Sequence, residues 1–448
     1  MSTNSESLLK DLTPEIEKTS RSWYIVFGSF LLIFIIGIYA LIQQIDKGHI
    51  VTGMRDNVVW GVYIVNFIFF MGLSYAGALV SGTLHLFKTP WRAPVIRIAE
   101  LITVISLAIG PFFIFFCVGR LDRLPYILAF PRIQSPIVWD VIAILTDVFG
   151  AAIFLYISFL EDFAILRDNE NLQIPPWKKK MYRMLALGYQ GTEKQKRILS
   201  LSRNVMAAII IAIAIIVYSV LAWIFGVTLQ PGWHSTIFGP YFVIAAIFSG
   251  VGLLIVLMAI FRRIYNLEKY ITLKHFVNLG IVLFVIAAFF GYFTFSDYLT
   301  KWYGSVKMDK VLIDKLFTEF RFYFIMANYI GILTPIIIIA IPKLRTIRNI
   351  TVAAVIALVA LWINRYIIIV PTLETPFLPI QDTRPDWLWY SPTWVEWSLT
   401  AAGIAVFGML FMIISKIAPI ISISEMVEAE EKQKEKEKQN QLTGEHHE

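Results

Sequence analysis

Ten stretches of this chain are apolar over roughly the 20 residues that an α-helix needs to cross a bilayer. They lie near residues 23–43, 58–80, 95–117, 136–160, 204–226, 238–261, 274–295, 322–341, 350–370 and 396–416. Backbone polar groups find no water in hydrocarbon, so a crossing segment satisfies them within itself as a helix or within a closed barrel. Runs this long are about twice what a barrel strand needs, so they read as helices. The chain is expected to be all-α, a polytopic membrane protein of about ten transmembrane helices. Its 448 residues are 57% hydrophobic and 16% charged, which lies outside the range of soluble domains. The first run follows some 22 polar residues with no small-residue cleavage site, so it reads as a retained span rather than a signal peptide.

Lys and Arg are distributed unevenly over the loops. The segment 1–22, the loops on its side and the chain end carry 27, counting Arg97, Lys274 and Lys416 at the adjoining span ends, the opposite loops carry 11, and Arg365 inside span 9 completes the 39. By the positive-inside rule both termini are expected in the cytoplasm. So is the basic loop 161–203 with its "WKKK", and so is the charged low-complexity tail 421–448. The net charge of +7 reflects this loop asymmetry and is no argument for nucleic acid. A single cysteine excludes an intramolecular disulfide, a cysteine-ligated iron–sulfur cluster and a CxxC site.

A weak internal repeat runs through the spans. An offset of 178 residues lays "WGVY" (60–63) on "FGPY" (238–241) and "RIAEL" (97–101) on "HFVNL" (275–279). Aligned elements cross in the same direction, which gives a parallel repeat about an axis normal to the membrane. Two four-helix bundles, 58–226 and 238–370, are expected about a pseudo-two-fold axis, with spans 1 and 10 flanking them.

The chemistry-bearing residues gather towards the outer side. In "SPIVWDVIAILTDVF", Pro136 suits the first turn of span 4, so Asp140 lies near its outer end. Asp147 follows two turns later on the same face, about 10 Å deeper. A carboxylate within a span is retained only with a partner, a water path or a function. Arg365 in "NRYIIIVP" sits at comparable depth and is the expected partner, since a guanidinium stays charged. Tyr292, Asp297 and Asn328 share that outer half, and together these residues suggest a polar pocket opening outward. Glu100 on the cytoplasmic side, with Tyr63 and Asn66 in span 2, extends a proton path inward, or Glu100 simply pairs with Arg97 at (i, i+3). His49, His85, His234 and His275 fall in loops or at span ends. The paired central ligands of a membrane haem are therefore not expected. No GxxxxGK[ST], GxGxxG or HExxH occurs.

"GR" after span 3, "SPIVWD", "PGWHSTIFGPYFVIAAIFSG", "NLEKYITLKH" and "NRYIIIVP" together resemble the NrfD/polysulfide-reductase membrane-subunit family. The likeness covers roughly residues 20–415. Within that family it is nearest to the ten-helix branch, the C-type subunits of alternative complex III and of menaquinone reductases. The resemblance implies a quinone-reactive membrane subunit of a respiratory oxidoreductase rather than a stand-alone enzyme. Such a subunit holds no cofactor and takes menaquinone or ubiquinone as substrate. It exchanges electrons with a ferredoxin-like iron–sulfur subunit on the outer face of a prokaryotic cytoplasmic membrane, and proton translocation accompanies this in some members. Carried over by position, Asp140 matches the family's span-4 aspartate at the quinone pocket. Arg120, Asp122, Trp139 and His234 border that pocket. Cys117 stands where this branch usually has a histidine, or other members an aspartate, so another residue supplies the proton acceptor or the quinone site is altered. Asp122, His234 and Asp147 are the candidates. Two other readings stay open: a secondary transporter with an outward-facing Asp/Arg site, and a structural anchor.

Overall fold

The computed structural model describes residues 3–89, 91–304, 306–375 and 389–431. Parts of the Pro/Trp-rich stretch 371–394 and of the charged tail lie outside the described residues. Two short helices, α1 (Thr3–Leu12) and α2 (Pro14–Glu17), precede α3 (Arg21–Lys47), α4 (Gly61–Leu86) and α5 (Ala93–Cys117). A short α6 (Tyr126–Ala129) leads to α7 (Pro136–Asp168), α8 (Pro176–Leu185), α9 (Glu193–Gly226), α10 (Phe238–Ile264) and α11 (Leu273–Gly304). Then come α12 (Lys307–Thr318), α13 (Arg321–Ile325), a π-turn over Met326–Ile330, α14 (Gly331–Ala340), α15 (Ile347–Leu373) and α16 (Trp394–Ile417). Among the described residues, ten helices are long and apolar enough to cross a membrane. These are α3, α4, α5, α7, α9, α10, α11, α13–α14, α15 and α16. Ten crossings leave the first and last described residues on one side, called here the terminal face.

Most span limits fall within a few residues of expectation; α11 runs on to Gly304 rather than 295, and two further exceptions have visible causes. Helix α9 begins at Glu193 rather than 204, because Thr192 and Gln195 form a capping box that starts the helix beyond the apolar run. Helix α7 continues to Asp168 rather than 160, because Asp162 and Glu161 find arginine partners.

The packing pattern repeats along the chain. Helix α4 packs on α5, α9 and α10, and α10 packs on α11, α15 and α4. Helix α7 lies on α9 as α14 lies on α15, and the cross-contacts α9–α10 and α4–α15 correspond. The two four-helix bundles thus meet along an α4–α10 seam. Gly250 makes this seam possible, since a Cβ there would lie 2.0 Å from the Ala76 Cβ. Helix α4 is buried nearly throughout, whereas α3 packs chiefly on α16 and turns most of its surface outward.

Chain ends close the terminal face. Leu8, Leu9 and Leu12 of α1 are buried. Lys178 of α8 donates to the carbonyls of Ile16 (2.9 Å) and Lys416 (2.8 Å), and Lys416 donates to those of Glu15 (2.8 Å) and Lys18 (2.9 Å). Tyr270 donates to Asp11 at 2.8 Å and holds that carboxyl below its ordinary range. Residues from Ala418 to Glu425 are largely buried and 423–431 are helical.

Candidate functional site

One face of α7 carries a buried polar stripe. Asp140, Ile144, Asp147, Ala151, Phe154, Ser158 and Asp162 are all buried. Their spacings of three and four residues keep them on one side of the helix. The stripe spans about 33 Å, enough to reach from one face of a bilayer to the other. About a third of the way along it, Asp147 is 0% exposed and neither carboxylate oxygen has a hydrogen-bond partner.

The expected Asp147–Arg365 ion pair does not form. Depth along a helix fixes height but not direction, and two tyrosines occupy the space between them. Tyr75 of α4 lies within electrostatic reach of Asp147 and Asp140, and its hydroxyl is buried without a partner. Its ring centre is 5.0 Å from that of Tyr218 on α9. The Tyr218 hydroxyl donates to the Ile68 carbonyl at 3.3 Å and also meets Arg365. Gly72 leaves room for it, since a Cβ there would stand 2.8 Å from the Tyr218 oxygen.

Arg365, 2% exposed, belongs to a second cluster in the other bundle. It donates to Asn364 Oδ1 at 3.2 Å and lies over the Phe242 ring at 4.9 Å. Asn364 donates to the Tyr241 hydroxyl (3.0 Å) and towards Asn328 (3.5 Å). Asn328 sits in the π-turn, a feature frequent at functional sites. Asp297 is buried and ion-paired with Lys301 one turn on. Tyr292 is 64% exposed and takes no part, which corrects its placement in the pocket.

On the face opposite the termini, Cys117 is half-buried and its thiol donates to the Ile114 carbonyl at 3.1 Å. Around it stand groups the sequence reading missed. Gln44 of α3 accepts from Tyr63 (2.6 Å) and donates to the Phe116 carbonyl (2.6 Å). His49 reaches that same carbonyl, so an imidazole from another segment arrives beside Cys117. Tyr63 is therefore part of this outer group, not of an inward path. Asn66 donates to Thr400 (2.7 Å) and accepts from Trp362 (2.9 Å). Buried Glu396 accepts from Tyr390 (2.5 Å), Gly53 N–H (2.7 Å) and Thr393 N–H (2.9 Å). Arg120 and Asp122 pair with each other at the surface through two bonds of 2.9 and 2.8 Å, which lowers the Asp122 carboxyl and raises the guanidinium. Trp139 is 39% exposed and His234 is exposed.

At the other end of the stripe Glu100 does approach Arg97, at 3.7 Å, but within a larger buried group. Arg97 binds Asp162 at 2.7 Å and the Ser158 carbonyl at 3.0 Å, and Ser158 donates to Glu100 at 2.8 Å. Between α9, α10 and α11 lies a separate apolar groove of about 410 Å³, lined among others by Ile215, Pro240, Ile244 and Phe289.

Residues 50–376 match the family model described as "Polysulphide reductase, NrfD". A putative dimethyl sulfoxide reductase membrane subunit of Halobacterium salinarum is 27% identical over 244 residues, 54% of this chain and 52% of that protein. The match thus spans about half the length of that relative. A selenate reductase subunit of Mesobacillus selenatarsenatis is 22% identical over 88% of this chain and 93% of its own. The integral membrane subunit of a menaquinone reductase from Nitratidesulfovibrio vulgaris is 23% identical over 92% and 95%.

Proposed function

The chain belongs to the NrfD polysulphide reductase family, and from that premise we propose that it is the quinol-interacting membrane subunit of an oxidoreductase complex. Relatives named as subunits of selenate and menaquinone reductases support a multi-subunit assembly and a quinone substrate. The terminal face, with the larger share of Lys and Arg, is cytoplasmic, and the membrane is the cytoplasmic membrane of a prokaryote. Electrons pass to or from an iron–sulfur subunit docked on the opposite face.

Quinol oxidation yields quinone, two electrons and two protons, and quinone reduction reverses this. The electrons leave through the docked partner, so this chain's residues must manage the protons. Asp140, one turn inside α7, receives a proton at the head group and Asp147 receives it further in. Tyr75 and Tyr218, in ring contact with each other, stand between the aspartates and Arg365 of the second bundle. Cys117 is engaged with its own helix, and His49 brings the imidazole to that corner. Glu100 lies at the far end of the stripe, where a proton would enter or leave on the terminal face.

The observation that carries this reading is Asp147, a fully buried carboxyl with no partner on either oxygen. A structural carboxylate in a span is paired, and one that exchanges protons needs vacant acceptor sites. In the purified complex, Asp147→Asn is expected to lower quinol-linked turnover at least ten-fold while every partner protein still co-purifies. Turnover equal to the parent would overturn the role of Asp147.

A further inference from the structure

The terminal end of the α7 stripe is completed by residues beyond the last span. Ser422 accepts from Arg97 at 3.2 Å and donates to Asp162 at 3.2 Å, and the Ser424 N–H donates to Asp162 at 2.8 Å. Glu425 binds Arg92 at 2.7 Å, lies 3.7 Å from Arg203, and stands 4.0 Å from His85 Nδ1. Arg203 in turn binds Glu161 at 2.7 Å. Helices α4, α5, α7 and α9 are thus tied together through one short segment.

Charge and vacancy both mark this group as more than a brace. Three arginines face four carboxylates, Glu100, Glu161, Asp162 and Glu425, with Glu428 at the rim 3.5 Å from Arg92. One negative charge is left over in a buried setting, where a proton neutralises it at least cost. Two groups have room for that proton. Glu100, 2% exposed, has an oxygen with no partner, and His85 Nδ1, in a residue 6% exposed, has no hydrogen bond.

We propose that the Glu100–His85 cluster is a proton-binding site and that residues 418–428 are its lid. In the docked segment Ser422, Ile423 and Ser424 are buried, and Ser422 and Ser424 are bonded to Arg97 and Asp162 of the cluster. Lifting the segment takes Glu425 from Arg92 and Arg203 and opens Glu100 and Ser158 to water. A proton then adds to Glu100 or His85 with no other bond made or broken. The proposal rests on the reading above only for what lies beyond Glu100 along α7.

Its test uses the full chain in nanodiscs. Cys117 is the only cysteine, so Cys117→Ser gives a cysteine-free background. In that background Ser158→Cys reports the cluster, and exposed Ser200→Cys is the reference for correct folding. A hydrophilic maleimide is expected to label Ser158→Cys at least ten-fold faster when Glu425→Gln is added, with the reference unchanged. Infrared spectra of the native-cysteine chain in D2O supply the second measurement. The parent is expected to show a slowly exchanging protonated-carboxyl band that Glu100→Gln removes, and Glu425→Gln, which cancels the excess charge, is expected to weaken it. Equal labelling with and without Glu425→Gln overturns the lid, and so does parental labelling of Ser158→Cys as fast as the reference. An infrared band unchanged by both Glu100→Gln and His85→Phe overturns the proton site. Neither readout needs turnover, so an Asp147→Asn variant as active as the parent, together with gated labelling, would overturn the role of Asp147 in the quinol reading and leave this proposal standing.

Discussion

Asp147 is held at a cost that the fold gains nothing from directly. A carboxyl at mid-depth in a span is disfavoured by about 2.5–3.5 kcal/mol on insertion scales, and here no partner offsets it. Asp147→Leu is therefore expected to raise thermal stability in detergent, by about 1–3 kcal/mol, while quinol turnover falls at least ten-fold. A loss of stability in melting curves would show a hidden partner. Glu15 makes a related case outside the spans, on α2, where burial pushes its carboxyl up to about 7 from the ordinary 4.5. The folded state holds this proton more tightly than the unfolded state, so stability falls as pH rises from about 4.5 to about 7 and then levels off. Glu15→Gln is expected to flatten that part of the melting-temperature profile between pH 5 and 8. The two aspartates of α7 were legible in the sequence, because a seven-residue spacing fixes a common face whatever the neighbours do. The surroundings of Asp147 were not, because Tyr75 and Tyr218 look like ordinary aromatic span residues until their helices are packed.

Among the elements, α16 shows how one residue serves a helix and a tertiary contact together. Thr393 and Glu396 form a capping box, a signature readable four residues at a time. The same carboxylate holds Gly53 and Tyr390, and Tyr390 in turn accepts from the Val62 N–H at 2.7 Å. The Gly53 contact spans 343 residues of chain, which no local pattern announces. Glu396→Ala is expected to cost about 3 kcal/mol, since it strands buried donors as well as uncapping the helix. Glu396→Gln should recover part of this, and denaturant unfolding in micelles distinguishes the two. The start of α9 illustrates the opposite case: hydropathy located the span, but the Thr192 box set the true beginning ahead of it.

At the scale of the whole molecule, the two bundles are held by a seam without slack. Gly250→Ala places a methyl group against Ala76 and is expected to destabilise the protein by about 1–3 kcal/mol. Adding Ala76→Gly should return much of that loss, read as the melting temperature of the double variant. No rescue would mean that the strain lies elsewhere. The 178-residue repeat is in keeping with α4 packing on α5, α9 and α10 while α10 packs on α11, α15 and α4. What it did not anticipate is the segment after the last span. Arg97 leaves the ribosome 328 residues before Glu425, on the order of half a minute at typical rates of synthesis. Until then all ten spans can insert while Asp162 and three arginines lack their final partners. A chain truncated before Ser422 would keep all ten membrane helices and leave Asp162, Arg92, Arg97 and Arg203 without these partners.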